Sequence, residues 1–465
     1  MERPISRRCQ VIKTINPATE EVIQEFQEST WSEVDQKLAA SLRAQQDWKF
    51  RPIGQRLQCF QKLAQLLRAE EASLAEVITT EMGKNIKEAR AEVRKCVAVI
   101  DFYLEHSETH LQAVDLKSDF QKSYISPQPL GVILGIMPWN FPFYQVFRFA
   151  VPTLIAGNTV LLKHAPNVTE CSLQIHRLFM DAGFGDGIYT SLVVSHQVAA
   201  QVIEDPRVRG VSFTGSTRGG RQVASLSGQS LKKTLLELGG SDPSVVLDDA
   251  DLDLAVDRIL SSRMINSGQS CIAAKRFIVT EKNYDEFRGR MVQSMADFSF
   301  GDPMNEGYRL GPLARKDLRD QLDQQVQRCR QQGIQVLVGG EVPSEKGFYY
   351  PATLLEDVRP DTVAFAEELF GPVGSLIRAS DEAEAIRLAN QTSFGLGAAI
   401  YSRDLERACR IAETEIESGQ VFVNDIVRSD PRLPFGGVKN SGYGRELSHL
   451  ALTEFCNLKT VAGNA

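Results

Sequence analysis

Beyond Pro129 short apolar runs recur with longer amphipathic stretches between them, and this rhythm constrains the fold more than any other feature of the chain. Val132 to Met137, Thr159 to Lys163, Val211 to Thr214 and Thr234 to Leu238 read as buried strands, while Ser172 to Ala182 and Gln197 to Glu204 read as helices between them. Strands separated by helices pair in parallel through right-handed crossovers, so the pattern predicts a doubly wound α/β sheet. A second alternating stretch follows Asp248, with apolar runs at Phe277 to Thr280, Val336 to Val338, Ser375 to Ile377, Ala398 to Tyr401 and Val421 to Asn424. Two α/β domains in tandem are expected, which suits 465 residues, too many for one ordinary core.

Ahead of the first sheet, Leu57, Phe60, Ala64 and Leu67, then Val93, Cys96, Val97, Ile100 and Leu104, recur at helical spacing and predict two amphipathic helices covering one sheet face. Val114 to Gln128 is polar and alternating, as an extended arm would be. Glu454 to Ala462 is similar, and the two segments are expected to pair in one small sheet.

Several functional classes are excluded. The formal charge of -7 is spread along the chain without the basic clustering that nucleic acid requires. Met1 to Gln10 is polar and basic with no apolar region behind it, and the most apolar stretch, Phe147 to Leu162, is interrupted by Arg148, Pro152 and Asn158. No membrane partner and a cytoplasmic location are expected. The eight cysteines form no C-x-x-C pair, so a zinc ribbon or redox dithiol is not indicated. His106 and His110 share a helix spacing, but Ser107 stands where a zincin carries Glu; no metal is expected.

Six short segments carry candidate chemistry. Pro138-Trp139-Asn140-Phe141-Pro142 follows a strand, where open parallel sheets place ligand loops; the Asn140 amide suits an oxyanion donor or, equally, a turn. Phe213-Thr214-Gly215-Ser216-Thr217 ends a strand before a helix, as a phosphate site or a plain turn does. Leu236-Glu237-Leu238-Gly239-Gly240 sets a carboxylate inside an apolar strand, where burial would make it a base and an ion pair would make it inert. Asn266-Ser267-Gly268-Gln269-Ser270-Cys271 surrounds a thiol with small polar residues, so Cys271 is either an accessible nucleophile or a buried apolar side chain. Glu367-Glu368-Leu369-Phe370-Gly371-Pro372 and Leu433-Pro434-Phe435-Gly436-Gly437 read as loops shaped around a ligand.

In this order the six segments resemble the aldehyde dehydrogenase superfamily across essentially the whole chain. The resemblance implies that Cys271 attacks the aldehyde, that Asn140 holds the resulting oxyanion, and that Glu237 activates water against the thioester. It implies NADP or NAD as cofactor, with Trp139 and Lys163 at the adenosine end, Ser216 beside Gly215 at the pyrophosphate, and Glu368 with Phe370 around the nicotinamide, Pro138 being a further cofactor-binding residue. The implied fold has residues 1–112 and 130–239 binding cofactor and 240–439 carrying the thiol. Residues 113–129 and 440–465 form an oligomerisation sheet, which implies a homodimer or homotetramer.

Lys163-His164-Ala165-Pro166-Asn167, Gly239-Gly240-Ser241-Asp242-Pro243, Cys271-Ile272-Ala273-Ala274-Lys275-Arg276 and Ser429-Asp430-Pro431-Arg432 resemble the bacterial succinate-semialdehyde branch of that family. A substrate ending in carboxylate needs a cation in its pocket. Arg148 is the first candidate, with Ser429, Arg432 and Arg276 next; each arginine could instead serve an interface or an internal ion pair. Pro166 stands where many NAD-specific members carry Glu, which leaves no carboxylate there to repel a 2′-phosphate and makes Lys163 and His164 candidates to attract one. The rivals are the same chemistry on glutarate semialdehyde or an aliphatic aldehyde, release to a thiol in place of water, and a non-catalytic cofactor-binding or structural protein.

Overall fold

The computed structural model describes residues 11–464, so Cys9 and the basic Met1 to Gln10 segment lie outside the described residues. Two sheets organise the chain. The first runs, edge to edge, Gly442–Tyr443, Lys233–Glu237, Val208–Thr214, Val132–Met137, Thr159–His164 and Tyr189–Ser191, parallel except for the first. The earliest strand, Val132–Met137, lies inside the sheet; the chain winds outward on one side to Tyr189–Ser191, then returns to add Val208–Thr214 and Lys233–Glu237 on the other. The strand order therefore reverses between Val132–Met137 and Val208–Thr214, and their carboxyl ends carry the Trp139 and Ser216 loops.

The second sheet has seven strands in the order Gln335–Val338, Thr353–Glu356, Val373–Ala379, Arg276–Thr280, Pro243–Val246, Gly397–Tyr401 and Gln420–Val423, with only the first antiparallel. Its strands are β-branched and aliphatic, and the central ones are buried on both faces, as parallel pairing demands. The run Pro243–Val246 and the strand Thr353–Glu356 join this sheet although their sequences carry no alternation, and each is only four residues long.

The apolar stripes read from sequence lie on the helices Ile53–Ala69 and Ile86–His110. Glu71–Met82 joins that layer, whereas Trp31–Trp48 packs Val34 and Leu38 on the other face of the first sheet against Val132, Leu134 and Leu161; Thr30 caps it through a reciprocal box with Glu33. Lys122–Pro129 pairs antiparallel with Cys456–Gly463, with Val114–Asp115 beside it, in a separate three-stranded sheet. The segment 440–465 divides, however: Gly442–Tyr443 hydrogen-bonds to Leu236 and Glu237, and the helix Leu450–Glu454 packs on Tyr144–Ile155. Only Cys456–Gly463 reaches the small sheet, because Leu452 and Phe455 are apolar and buried in the first domain. Among the described residues no helix is long and apolar enough to cross a membrane.

Candidate active site

The thiol candidate sits on a turn that few sequences could make. Asn266, Ser267 and Gly268 all have positive φ, at 54°, 52° and 75°, a left-handed run that costs free energy at the two side-chain-bearing positions. Neighbours hold it there: Glu88 accepts from the Asn266 backbone N–H (2.9 Å), Ser267 Oγ donates to the Gly311 carbonyl (2.9 Å), and Gln269 Oε1 accepts from the Ala314 N–H (2.9 Å). A Cβ at Gly268 would collide with the Gly371 carbonyl, so this glycine lets the thiol turn press against the Glu368–Phe370 loop.

Three strand or helix ends converge there. The Asn140 side-chain amide donates to the Gln269 carbonyl (3.1 Å), and the Asn140 carbonyl accepts from Asn266 Nδ2 (2.8 Å), so the loop after Val132–Met137 is tied to the Cys271 turn on both sides. Glu92 accepts from the Phe143 and Tyr144 N–H groups (2.9 and 3.0 Å) at the start of the helix Tyr144–Ile155 and is itself ion-paired with buried Lys84. Glu237 ends the strand Lys233–Glu237; it is 2% exposed, and neither carboxylate oxygen has a hydrogen-bond partner among the described residues.

Electrostatics divide these groups. Burial holds the Glu237 carboxyl well above the usual carboxylate range, and nearby Glu446 pushes it further, against the pull of Arg148 and Arg445. Cys271 is half-buried. Its thiol is pushed up to about 12, chiefly by burial, with Lys275 and Arg148 pulling the other way. Burial thus disfavours the charged forms of both the thiol and the carboxyl, and the cations that face them are Lys275 and Arg148, the latter paired with Glu446. Lys275 Nζ donates to the Cys271 and Ser270 carbonyls (2.7 and 3.0 Å) and stands 3.4 Å from Glu368 Oε1, which also accepts from the Gly240 N–H (3.2 Å). Sequence reasoning missed Lys275 although it lies four residues after the thiol.

A narrow cleft opens over Cys271, walled by Phe141, Tyr144, Ile265, Ile272, Val427 and Phe435. Arg148 reaches its lining but is already paired with buried Glu446, both residues 2% exposed, and stacks 4.5 Å from the Phe435 ring. Ser429 is also in the wall. The structure does not bring Arg276 or Arg432 there. Arg276 is fully buried elsewhere, donating to the Ser241, Leu388 and Ala389 carbonyls (2.8 to 2.9 Å). Arg432 is exposed and doubly bonded to Asp430 (2.6 and 2.8 Å). Instead the wall holds Lys95, which no motif flagged. A signal existed: Glu88, Glu92 and Lys95 follow each other at four- and three-residue steps on one helix, placing charges on the face that also buries Val93 and Cys96.

The residues expected around a dinucleotide suit one. Ser216 caps the helix Thr217–Gln229 by accepting from the Gly219 N–H (3.2 Å), and the helix start opens on a cleft lined by Phe213, His196 and Arg218. Lys163, next to last in its strand, is 4% exposed, with no ion-pair partner among the described residues, and burial pushes it down to about 8. Trp139 and half-buried Phe370 meet edge to face at 5.8 Å. His164 departs from expectation. Its Nε2 bonds the Pro142 carbonyl (2.8 Å), its Nδ1 accepts from the Ala165 N–H (2.8 Å), and burial pushes it down to about 4, so it is neutral and cannot attract a phosphate. It ties the strand Thr159–His164 to the Asn140 loop. His106 bonds the Phe102 carbonyl (2.8 Å) and His110 stacks on His449 (4.9 Å).

Residues 5–461 match the aldehyde dehydrogenase family. The chain belongs to that family. The succinate semialdehyde dehydrogenase [NAD(P)+] Sad of Escherichia coli (strain K12) is 45% identical over 448 residues, covering 96% of this chain and 97% of that protein. A probable succinate-semialdehyde dehydrogenase [NADP(+)] of Synechocystis is 44% identical, covering 97% and 99%. A crystal structure of succinic semialdehyde dehydrogenase from Streptococcus pyogenes in complex with NADP+ superposes with a TM-score of 0.96 at 37% identity, over 98% of this chain and all of that one. The two parallel sheets and the small antiparallel sheet are thus the aldehyde dehydrogenase fold.

Proposed function

We propose that this aldehyde dehydrogenase oxidises succinate semialdehyde to succinate with NADP or NAD, through a covalent intermediate on Cys271. The observation that carries the reading is the cleft over Cys271, apolar along its walls and cationic where Lys95 and Arg148 line it, with Asn140 and Glu237 held beside the thiol turn. Such walls suit a short chain with an aldehyde at one end and an anion at the other. The names of the relatives support the same substrate.

The residues act in sequence. Cys271, its thiol proton lost to solvent, adds to the carbonyl as thiolate, and the new oxyanion is held by the Asn140 amide and the Cys271 backbone N–H. Trp139, Lys163, Gly215, Ser216, Glu368 and Phe370 would hold an oxidised nicotinamide dinucleotide, which when bound would supply the hydride acceptor. The thioester left on Cys271 is hydrolysed by water that Glu237, lacking any other hydrogen-bond partner, accepts a proton from. Lys275, gripping the Cys271 carbonyl, keeps the turn from drifting while the sulfur changes state.

A steady-state screen of succinate semialdehyde, glutarate semialdehyde and butanal with both cofactors tests this reading. Highest kcat/KM on succinate semialdehyde supports it; equal or higher values on butanal contradict it. We also assign the enzyme to the cytoplasm, consistent with seven described cysteines that are all free thiols. Its assembly is a homodimer or homotetramer built on the small sheet, where Val114, Phe120 and Leu458 are at least half exposed. A single species at monomer mass in sedimentation would contradict that assembly.

A further inference from the structure

Five cations line or were expected to line the cleft over Cys271, and four of them are committed, Arg276 to three backbone carbonyls. Arg148 is paired with Glu446, Arg432 with Asp430, and Arg428, at the exposed side of the wall, with Asp425. Lys95 differs. It projects from the helix Ile86–His110, and its Nζ donates to Ser429 Oγ (2.8 Å) and lies 4.2 Å from the centre of the Tyr144 ring. Among the described residues no carboxylate stands within ion-pair distance of it, since the Glu92 oxygens on the same helix go to Lys84 and to backbone N–H groups.

An enclosed ammonium whose strongest partner is a neutral hydroxyl exchanges that hydroxyl for a carboxylate with net gain, because ionised acceptors form the stronger hydrogen bonds. The Ser429 hydroxyl, accepting from Lys95, keeps its own proton to donate to the second carboxylate oxygen. We propose that Lys95 and Ser429 form the subsite for the carboxylate of the aldehyde substrate, with Lys95 the specificity-determining cation. The inference rests on the reading that Cys271 oxidises a carboxylated aldehyde.

The subsite predicts its own pH signature. Lys95 faces Glu92 and Cys96 on its own helix, Lys84 just ahead of that helix, Arg148 and Tyr144 from the helix Tyr144–Ile155, and Ser429 and Arg428 from the opposite wall. Burial, followed by Arg148, pushes its ammonium down to about 8. Preference for the anionic substrate is therefore full below that pH and declines above it as the ammonium loses its proton.

The experiment compares kcat/KM for succinate semialdehyde and for butanal in the wild-type enzyme, Lys95→Met and Lys95→Arg, across this pH range. Lys95→Met should lower the ratio of the two values about thirtyfold or more, as removal of one partner of an enclosed charge pair does. Lys95→Arg should restore much of the ratio and shift its decline to higher pH. An unchanged ratio in Lys95→Met, or equal loss on both substrates, overturns the assignment. A wild-type enzyme with no preference for the anionic aldehyde overturns the underlying substrate reading and this inference with it, and so is distinguishable from failure of Lys95 alone.

Discussion

Replacing Arg148 by Met removes the partner of Glu446 from a site where both side chains are 2% exposed. Met keeps the aliphatic stem against Phe435, so the main loss is charge. A buried carboxylate deprived of its cation typically costs about 3–5 kcal/mol, but it can escape by taking up a proton. Escape has a calculable ceiling. Burial already raises the Glu446 carboxyl from its ordinary 4.5 and Arg148 is the first group opposing that rise. Holding it neutral at pH 7 costs about 2.5 pH units at 1.36 kcal/mol each, roughly 3.4 kcal/mol, and at pH 5.5 only about 1.4 kcal/mol. The sign follows from the raised folded-state pKa: the folded variant carries a proton that the unfolded chain has lost, so stability falls as pH rises above about 4.5. Urea unfolding followed by tryptophan fluorescence at both pH values should therefore show Arg148→Met losing more at pH 7 than at pH 5.5. Adding Glu446→Leu should recover most of the loss, because an apolar pair of similar volume leaves no buried charge. A penalty below about 1 kcal/mol at pH 7, independent of pH and unrelieved in the double variant, would refute the reasoning.

Asn140→Ala should lower kcat about 100- to 1,000-fold with little change in cofactor affinity, as loss of one oxyanion donor does; stopped-flow hydride transfer and cofactor titration measure the two separately. With butanal, kcat/KM should climb from about pH 6 to about pH 9, because the Glu237 carboxyl and the Cys271 thiol are both raised by burial and act as anions; a flat profile would contradict those protonation states. NADP should be used with kcat/KM within about tenfold of NAD, a difference of about 1.4 kcal/mol, since Pro166 offers no carboxylate against a 2′-phosphate; strict NAD dependence in steady-state assays would show that another group closes the site.

What the sequence made legible follows from how locally each feature is encoded. Val132–Met137 and Thr159–His164 are continuous apolar runs with turn residues on both sides, and their pairing is parallel as the intervening helices require. Asn140, Glu237 and Cys271 each stand in a loop or strand end whose composition is unusual on its own. Thr353–Glu356 escaped because four residues carry no period, and Glu71–Met82 because its stripe is short. The substrate arginines were harder still. A cation in sequence carries no record of its acceptor, so Arg276, which satisfies three carbonyls, and Arg148, which satisfies Glu446, read the same as a free pocket cation. Lys95 could be found only by noticing charges on the buried face of an amphipathic helix, and its company, Ser429, lies more than 300 residues away.

The central claim is that substrate carbon becomes a thioester on Cys271 before Glu237 assists its hydrolysis. Glu237→Gln mixed with NADP and succinate semialdehyde should release reduced cofactor in a burst equal to the active sites and then turn over slowly. Acid quenching after the burst, followed by digestion and mass spectrometry, should place a succinyl group on the peptide carrying Cys271, and Cys271→Ser should give neither burst nor adduct. A burst with no adduct on that peptide, or full turnover by Cys271→Ser, would contradict the account.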